Sequence, residues 1–218
     1  LYQLKFYLGD LCYNLAMKSI FSPSTFFDLS DFQFKELFEV ENVWEVIPKI
    51  SYFILKNNGP VPVVVGKGTI IEEGVLIKGA AIIGKNCFIA HGAYIRDGAI
   101  LGDNVKIGHS AEIKNSIILS NSSVAHLNYV GDSVLGKNVN FAGGAMAANF
   151  RLDGAKIRIR HNGKDLETNL TKLGAIIGDS SKIGANSVLN PGTILAKNSR
   201  VYPLTSVFGT HLTEETIK

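Results

Sequence analysis

Written in sixes from Val65, residues 65–130 read VGKGTI IEEGVL IKGAAI IGKNCF IAHGAY IRDGAI LGDNVK IGHSAE IKNSII LSNSSV AHLNYV. The first position of each hexad is apolar: Val65, Ile71, Ile77, Ile83, Ile89, Ile95, Leu101, Ile107, Ile113, Leu119 and Ala125. The fifth is mostly small, as in Thr69, Ala81, Cys87, Ala93, Ala99, Ala111 and Ser123. A helix repeats every 3.6 residues and a half-buried strand every second residue, so neither accounts for a period of six. A triangular coil does. Each hexad supplies one flat side and one corner, the aliphatic points inward, and Gly or Asn tolerates the corner geometry. Three hexads close a coil, and equivalent residues of successive coils stack about 4.8 Å apart. The pattern predicts a left-handed parallel β-helix of hexapeptide repeats, hence an all-β fold class.

Working outward, Asn57-Asn58-Gly59-Pro60 marks a boundary. Before it, residues 1–59 are rich in Phe and helical in pattern; after it, residues 60–218 form the β-helix domain. Leu4, Leu8, Leu11 and Leu15, with Phe6 and Tyr13, suit a helix over residues 1–21, ended by Ser22-Pro23-Ser24. Ser30-Asp31-Phe32-Gln33 resembles a capping box, and a further helix is expected from Val43 to Leu55, kinked by Pro48. Such a segment is expected to cap an open solenoid end or pack on a neighbouring subunit. Beyond Val130 the period breaks, as if four residues entered near Gly131-Asp132, and resumes at Leu135, Phe141 and Ala147. A longer insertion occupies about residues 150–172. There Ile157-Arg158-Ile159-Arg160 alternates as a strand and Asn162-Gly163 signals a hairpin. Hexads then return from Ile177 to Val207.

Composition bounds the partners. The chain has 218 residues, 46% hydrophobic and 19% charged, with a formal charge of +3. That charge is too small to argue for nucleic acid. Lys5, Asp10 and Lys18 interrupt the apolar start, so no membrane span is expected. Cys12 and Cys87 read as free thiols of a reducing compartment, and the expected location is cytoplasmic. The absence of a Cys/His cluster predicts no metal.

Spacing alone also places charges. Lys78, Arg96 and Lys114 recur at the coil period and each follows an inward aliphatic. They are expected to stack as a column of cations, either a solvated stripe or, because like charges repel at one strand spacing, the cradle of an anion. His126 stands beside the break in the period, with Tyr129, Asp132, Asn140 and Asn149 near in sequence. It is either a structural histidine or a general base. His91 and His109, one coil apart, read as corner residues.

Three runs then resemble the acetyltransferase domain of bifunctional UDP-N-acetylglucosamine pyrophosphorylase/glucosamine-1-phosphate N-acetyltransferase. They are Ala111-Glu112-Ile113-Lys114-Asn115-Ser116, Ala125-His126-Leu127-Asn128-Tyr129-Val130-Gly131-Asp132, and Val139-Asn140-Phe141-Ala142-Gly143-Gly144 followed by Ala148-Asn149-Phe150. Lys172-Leu173-Gly174-Ala175-Ile176-Ile177-Gly178-Asp179 and Asn190-Pro191-Gly192 look more like sugar-phosphate nucleotidyltransferases. The resemblance implies an acetyl-CoA-dependent N-acetyltransferase acting on an amino-sugar phosphate such as glucosamine-1-phosphate, on the way to UDP-N-acetylglucosamine. In it His126 is the base, Arg96 and Lys114 hold the phosphate, and Tyr129, Asn140 and Asn149 bind the sugar. Gly143 and Asp179 contact acetyl-CoA, the cosubstrate, and the assembly is a homotrimer with shared sites. Residues 1–60 lack a Gly-rich nucleotide-binding start, so pyrophosphorylase activity is not expected of this chain. The family's Gly-Ala-Gly-Thr loop reads Ala142-Gly143-Gly144-Ala145 here, and its Asn-Tyr pair reads Asn149-Phe150. The alternative is a non-catalytic β-helix assembly or sugar-phosphate-binding module related to the nucleotidyltransferases.

Overall fold

The computed structural model describes residues 19–59 and 62–218. The helix expected over residues 1–21 lies outside these residues except for its last three, and Cys12 lies outside them too. From Val63 the chain is a left-handed parallel β-helix with three flat faces. The first face begins Val63–Val65, Ala81–Ile83 and the second halves of Tyr94–Leu101 and Glu112–Ile118. It continues through Val134–Leu135, Ala175–Ile177, Thr193–Leu195 and Thr210–His211. The second runs through Ile70–Ile71, Phe88–Ile89, Lys106–Ile107, Ser123–Val124, Asn140–Phe141, Lys182–Ile183, Arg200–Val201 and Thr216–Ile217. The third holds Leu76–Lys78, the first halves of Tyr94–Leu101 and Glu112–Ile118, Tyr129–Gly131, Met146–Ala147, Val188–Leu189 and Ser206–Val207.

The hexad aliphatics fill the prism. Ile83, Ile89, Ile95, Leu101, Ile107 and Ile113 are buried in one continuous core; Val65 and Ile71, in the first coil, remain largely exposed. The corners explain the asparagines. Asn86, Asn104, Asn121, Asn138 and Asn198 stack between the first and second faces with φ of 53° to 63°. Asparagine is the side-chain-bearing residue that enters this region most readily. Asn104 Nδ2 donates to Asn121 Oδ1 at 3.1 Å, extending the ladder through side chains.

The period slips where the sequence suggested it held. Arg96 opposes Lys114, yet Ala99 opposes Ser116, so the later coil is one residue shorter at that corner. Ile118 and Val124 therefore point inward in place of Leu119 and Ala125, and Leu119 turns outward. The four extra residues expected at Gly131-Asp132 are absent as well. Val130 and Leu135 occupy successive faces directly, and this corner is again short. The longer insertion is present. The Leu173 N–H donates to the Asn149 carbonyl at 3.0 Å and pinches it off, and Arg158–His161 pairs antiparallel with Lys164–Glu167 inside it.

The aromatic segment covers a side of the prism. The outward side chains of the first face, Ile82, Ile100, Ile117, Val134, Ile176 and Ile194, are buried beneath Phe21, Phe26, Phe38, Trp44, Ile47 and Ile50, with Ile157 and Ile159 of the hairpin. This corrects the expectation of an end cap: six stacked aliphatics make a stripe along the prism that only a lateral cover removes from water. The expected capping box does not form; Asp31 pairs with Lys137, and a short 3-10 turn follows at Lys35–Phe38. The helix expected from Val43 splits into a 3-10 segment, Val43–Lys49, and an α-helix, Ile50–Asn58. Pro48 lacks the N–H that an α-helix needs there and disfavours α geometry at Ile47.

The lateral cover makes a testable distinction. Ile107→Ala, inside the prism, should cost about 2–5 kcal/mol in urea denaturation. Ile100→Ala should cost a similar amount although Ile100 points outward. A loss below about 1 kcal/mol at Ile100 would contradict the cover.

Candidate functional site

Two corners carry the polar residues singled out in the sequence. At the corner between the third and first faces, Lys78, Arg96 and Lys114 stand in register, as their spacing predicts. The carboxylates among them are the chain's own. Arg96 Nε donates to Glu112 Oε1 and its NH1 to Asp97 Oδ2, both at 2.7 Å. The Glu112 hydrogen bond, against some desolvation, raises the Arg96 pKa, so its charge is permanent. Lys114 is buried and its Nζ lies 2.8 Å from Asp132 Oδ2. Arg96 thus faces two carboxylates, Asp97 and Glu112, and Lys114 faces Asp132, while exposed Lys78 pairs with none of them. The like-charge repulsion that argued for a bound anion is relieved within the chain.

Asp132 is the hub of this corner. Asn115 Nδ2 donates to its Oδ1 at 2.9 Å, and Asn149 Nδ2 donates to its Oδ2. Asn115 and Asp132 both occupy the corner position with positive φ, as Asp97 does in the coil before them. Tyr129 folds across the face: a Cβ on Gly131 would fall 2.5 Å from its hydroxyl. Burial, then the charges of Asp132 and Glu112, pushes its phenol above the ordinary range, so it stays a neutral donor.

His126 occupies the other end of the third face, at the corner with the second. With about 3.3 Å per residue along the strand, it stands on the order of 15 Å from Lys114 within one chain. His91, His109 and His126 stack at this corner. The first two rings are parallel, 5.9 Å apart, and each Nδ1 bonds a carbonyl of the preceding coil, Glu73 O at 2.6 Å and His91 O at 2.8 Å. They are corner residues, as their sequence suggested. His126 is placed differently. Its Nε2 lies over Gly143 of the following coil, 2.7 Å from where a Cβ there would stand, and the side chain is exposed. Asn128 secures the contact from below. Its Nδ2 donates to Ala142 O at 2.7 Å and Ala145 O at 3.0 Å, tying the 142–145 turn to the histidine's coil. Nothing in the sequence marked Asn128 except its place between His126 and Tyr129. Leu127, at the tip, has a φ of 56° and is 61% exposed.

The remaining expected residues scatter. Asn140 projects from the second face beside Lys182, and Asp179 lies in another corner. Asp179 Oδ1 accepts the Lys137 N–H at 2.8 Å and Oδ2 the Asp28 N–H at 2.7 Å, while its own N–H donates to Phe26 O at 3.0 Å. A buried carboxylate with both oxygens so engaged anchors the aromatic segment, which corrects its expected contact with acetyl-CoA. Among the described residues no cluster of His, Cys, Asp and Glu could hold a metal, and no helix is long and apolar enough to cross a membrane.

Two substitutions test this geometry. Asp132→Ala, which leaves Lys114 buried without its partner, should cost about 3–5 kcal/mol in chemical denaturation. An unchanged midpoint would show the pair to be solvated. Gly143→Ala needs no unusual backbone, so it should alter stability little yet displace the His126 ring, seen as a shift of its imidazole proton resonances; unmoved resonances would disprove the contact.

The family model described as the GMPPB C-terminal domain matches residues 60–156, and that of the hexapeptide repeat of succinyl-transferase matches residues 174–202. The bifunctional sugar-1-phosphate nucleotidylyltransferase/acetyltransferase of Sulfurisphaera tokodaii is 38% identical over 85 residues, 39% of this chain and 21% of that protein. The bifunctional protein GlmU of Methanococcus maripaludis strain C7 is 40% identical over 83 residues, 38% of this chain and 20% of that protein. The chain thus spans about a fifth of the length of these curated relatives. The crystal structure of the polysialic acid O-acetyltransferase OatWY is 19% identical, with a TM-score of 0.39, over 72% of this chain and 80% of that one. The chain is a hexapeptide-repeat β-helix protein, similar to the GMPPB C-terminal domain and to the matching parts of bifunctional nucleotidylyltransferase/acetyltransferases.

Proposed function

We propose that this chain is an acetyl-CoA-dependent N-acetyltransferase acting on an amino-sugar phosphate of the glucosamine-1-phosphate kind. The observation that carries the reading is His126: an exposed imidazole whose Nε2 is held over the bare backbone of Gly143. There it can take a proton from an amine whose lone pair attacks the thioester carbonyl. The carbon–sulfur bond then breaks, and the departing thiolate takes a proton to leave as the free thiol. The names of the curated relatives support the reaction class. Near His126 the second face offers a shallow, open surface that includes the small residues Ala142, Gly184 and Ala185 beside Tyr202 and Pro203, which leaves room for an extended acyl carrier.

The His126 corner and the Lys114 corner lie apart on one chain, which supports a site completed by a second copy. The first face is covered by the aromatic segment, leaving the second and third for association. We infer a homotrimer with the His126 corner at its interface. Leu127 supports this: left-handed geometry costs a residue with a Cβ about 1–2 kcal/mol, and here that strain keeps a leucine in water.

Thiol release from acetyl-CoA with glucosamine-1-phosphate tests the chemistry. His126→Ala should lower turnover by about 10²–10⁴-fold, with cofactor affinity retained; turnover equal to the original chain would sink the assignment. Leu127→Gly should relieve backbone strain while weakening association in sedimentation experiments. An unchanged oligomer, or a monomer from the start, would contradict the interface.

A second reading rests on the GMPPB C-terminal domain match and the self-neutralised Arg96–Lys114 corner. It makes the chain a non-catalytic β-helix assembly module of a sugar-phosphate nucleotidyltransferase. No acetyl transfer to any amino-sugar phosphate, with oligomerisation retained, would favour it.

A further inference from the structure

Among the described residues, two cations stack on the second face with no carboxylate paired to either and none next in their column, unlike Lys67 and Lys85, above which Asp103 follows in the same column. Lys182 and Arg200 are register partners on the second face, both exposed, one strand spacing apart. Neither has a carboxylate within ion-pair distance among the described residues. The nearby acids are turned elsewhere: Glu215 Oε1 lies 2.7 Å from His211 Nδ1, and Glu214 Oε2 accepts from Asn198 Nδ2 at 3.3 Å. Below Lys182 the column continues with the exposed amide of Asn140. Beside it, Lys218 Nζ lies 5.2 Å from the centre of the Tyr202 ring. Asn140, Lys182, Arg200 and Tyr202 line one shallow, open depression together with Ala142, Gly184 and Ala185.

From these observations we propose that Asn140, Lys182 and Arg200 form a binding site for a phosphoryl group. Repulsion between two exposed cations one strand spacing apart is weak in water, so the column folds without an ion. A dianionic group set between them gains a charge-assisted hydrogen bond from each, with the Asn140 amide as a third donor. The contrast with Arg96 and Lys114 is one of availability. Those side chains are already committed to carboxylates, whereas Lys182 and Arg200 are free to turn toward a ligand. The depression reaches Ala142, next to Gly143, so the site lies on the same side of the prism as the His126 ring. This deepens the acyl-transfer reading and rests on it only for which ligand carries the phosphate, the acyl donor or the acceptor sugar.

Calorimetric titration of the full chain separates the possibilities. The probes are coenzyme A with its dephosphorylated 3′ form, and glucosamine-1-phosphate with glucosamine. The original chain should bind at least one phosphorylated probe more tightly than its counterpart, and more weakly as salt rises. The double variant Lys182→Ala/Arg200→Ala should lose at least about 10-fold in that affinity. Lys49→Ala, which removes an exposed charge elsewhere, should change it little. Preference for coenzyme A assigns the site to the donor, and preference for the sugar phosphate assigns it to the acceptor. Binding without acetyl transfer keeps the site while removing the acyl-transfer reading. Equal affinity in the double variant, loss instead on Arg96→Ala, or no phosphate preference by the original chain would overturn the proposal.

Discussion

A coil of this kind sets every side chain about one strand spacing from its equivalents above and below. Each column must therefore be compatible with itself, and the molecule can be understood column by column. Inward columns are aliphatic and form the core. The corner between the first and second faces repeats asparagine, whose side chains bond one another and whose backbone accepts positive φ. In the column of cations, Arg96 and Lys114 are stable beside each other because carboxylates interleave with them. The outward aliphatics of the first face are stable because an aromatic segment lies over them.

The same constraint explains how much could be read in advance. The hexad gave the β-helix directly, because no other regular structure has its period. The hairpin was visible in Asn162-Gly163 and the alternation before it, and the cationic column in the spacing of its members. The slip after Lys114 was hidden by Ile117-Ile118-Leu119. Three aliphatics in a row fit the inward position in any of three registers, and the outward ones are buried here as well. Asp132 follows Lys114 by one full coil period, and it was the break expected at Gly131-Asp132 that concealed it as the partner.

The aromatic segment shows a related limit. Its composition announced that it must cover something apolar. Which surface it covers depends on Asp179 and Lys137, more than a hundred residues away in sequence, which fix the loop around Asp28. Asp179 looked like a ligand contact because it is a polar residue in a recognisable motif; its carboxylate is buried as a clamp instead. His126 is the opposite case. It looked special because it interrupts the pattern, and its ring is indeed oriented unlike those of His91 and His109, toward the next coil rather than the preceding one.

If compensation decides which column receives an anion, the location of a bound phosphate is the direct test. A crystal structure of the chain with a phosphorylated probe, glucosamine-1-phosphate or coenzyme A, should show phosphate density between Lys182 and Arg200, with Lys114 still on Asp132. Phosphate density at the Arg96–Lys114 corner, with Lys114 turned away from Asp132, would contradict the account.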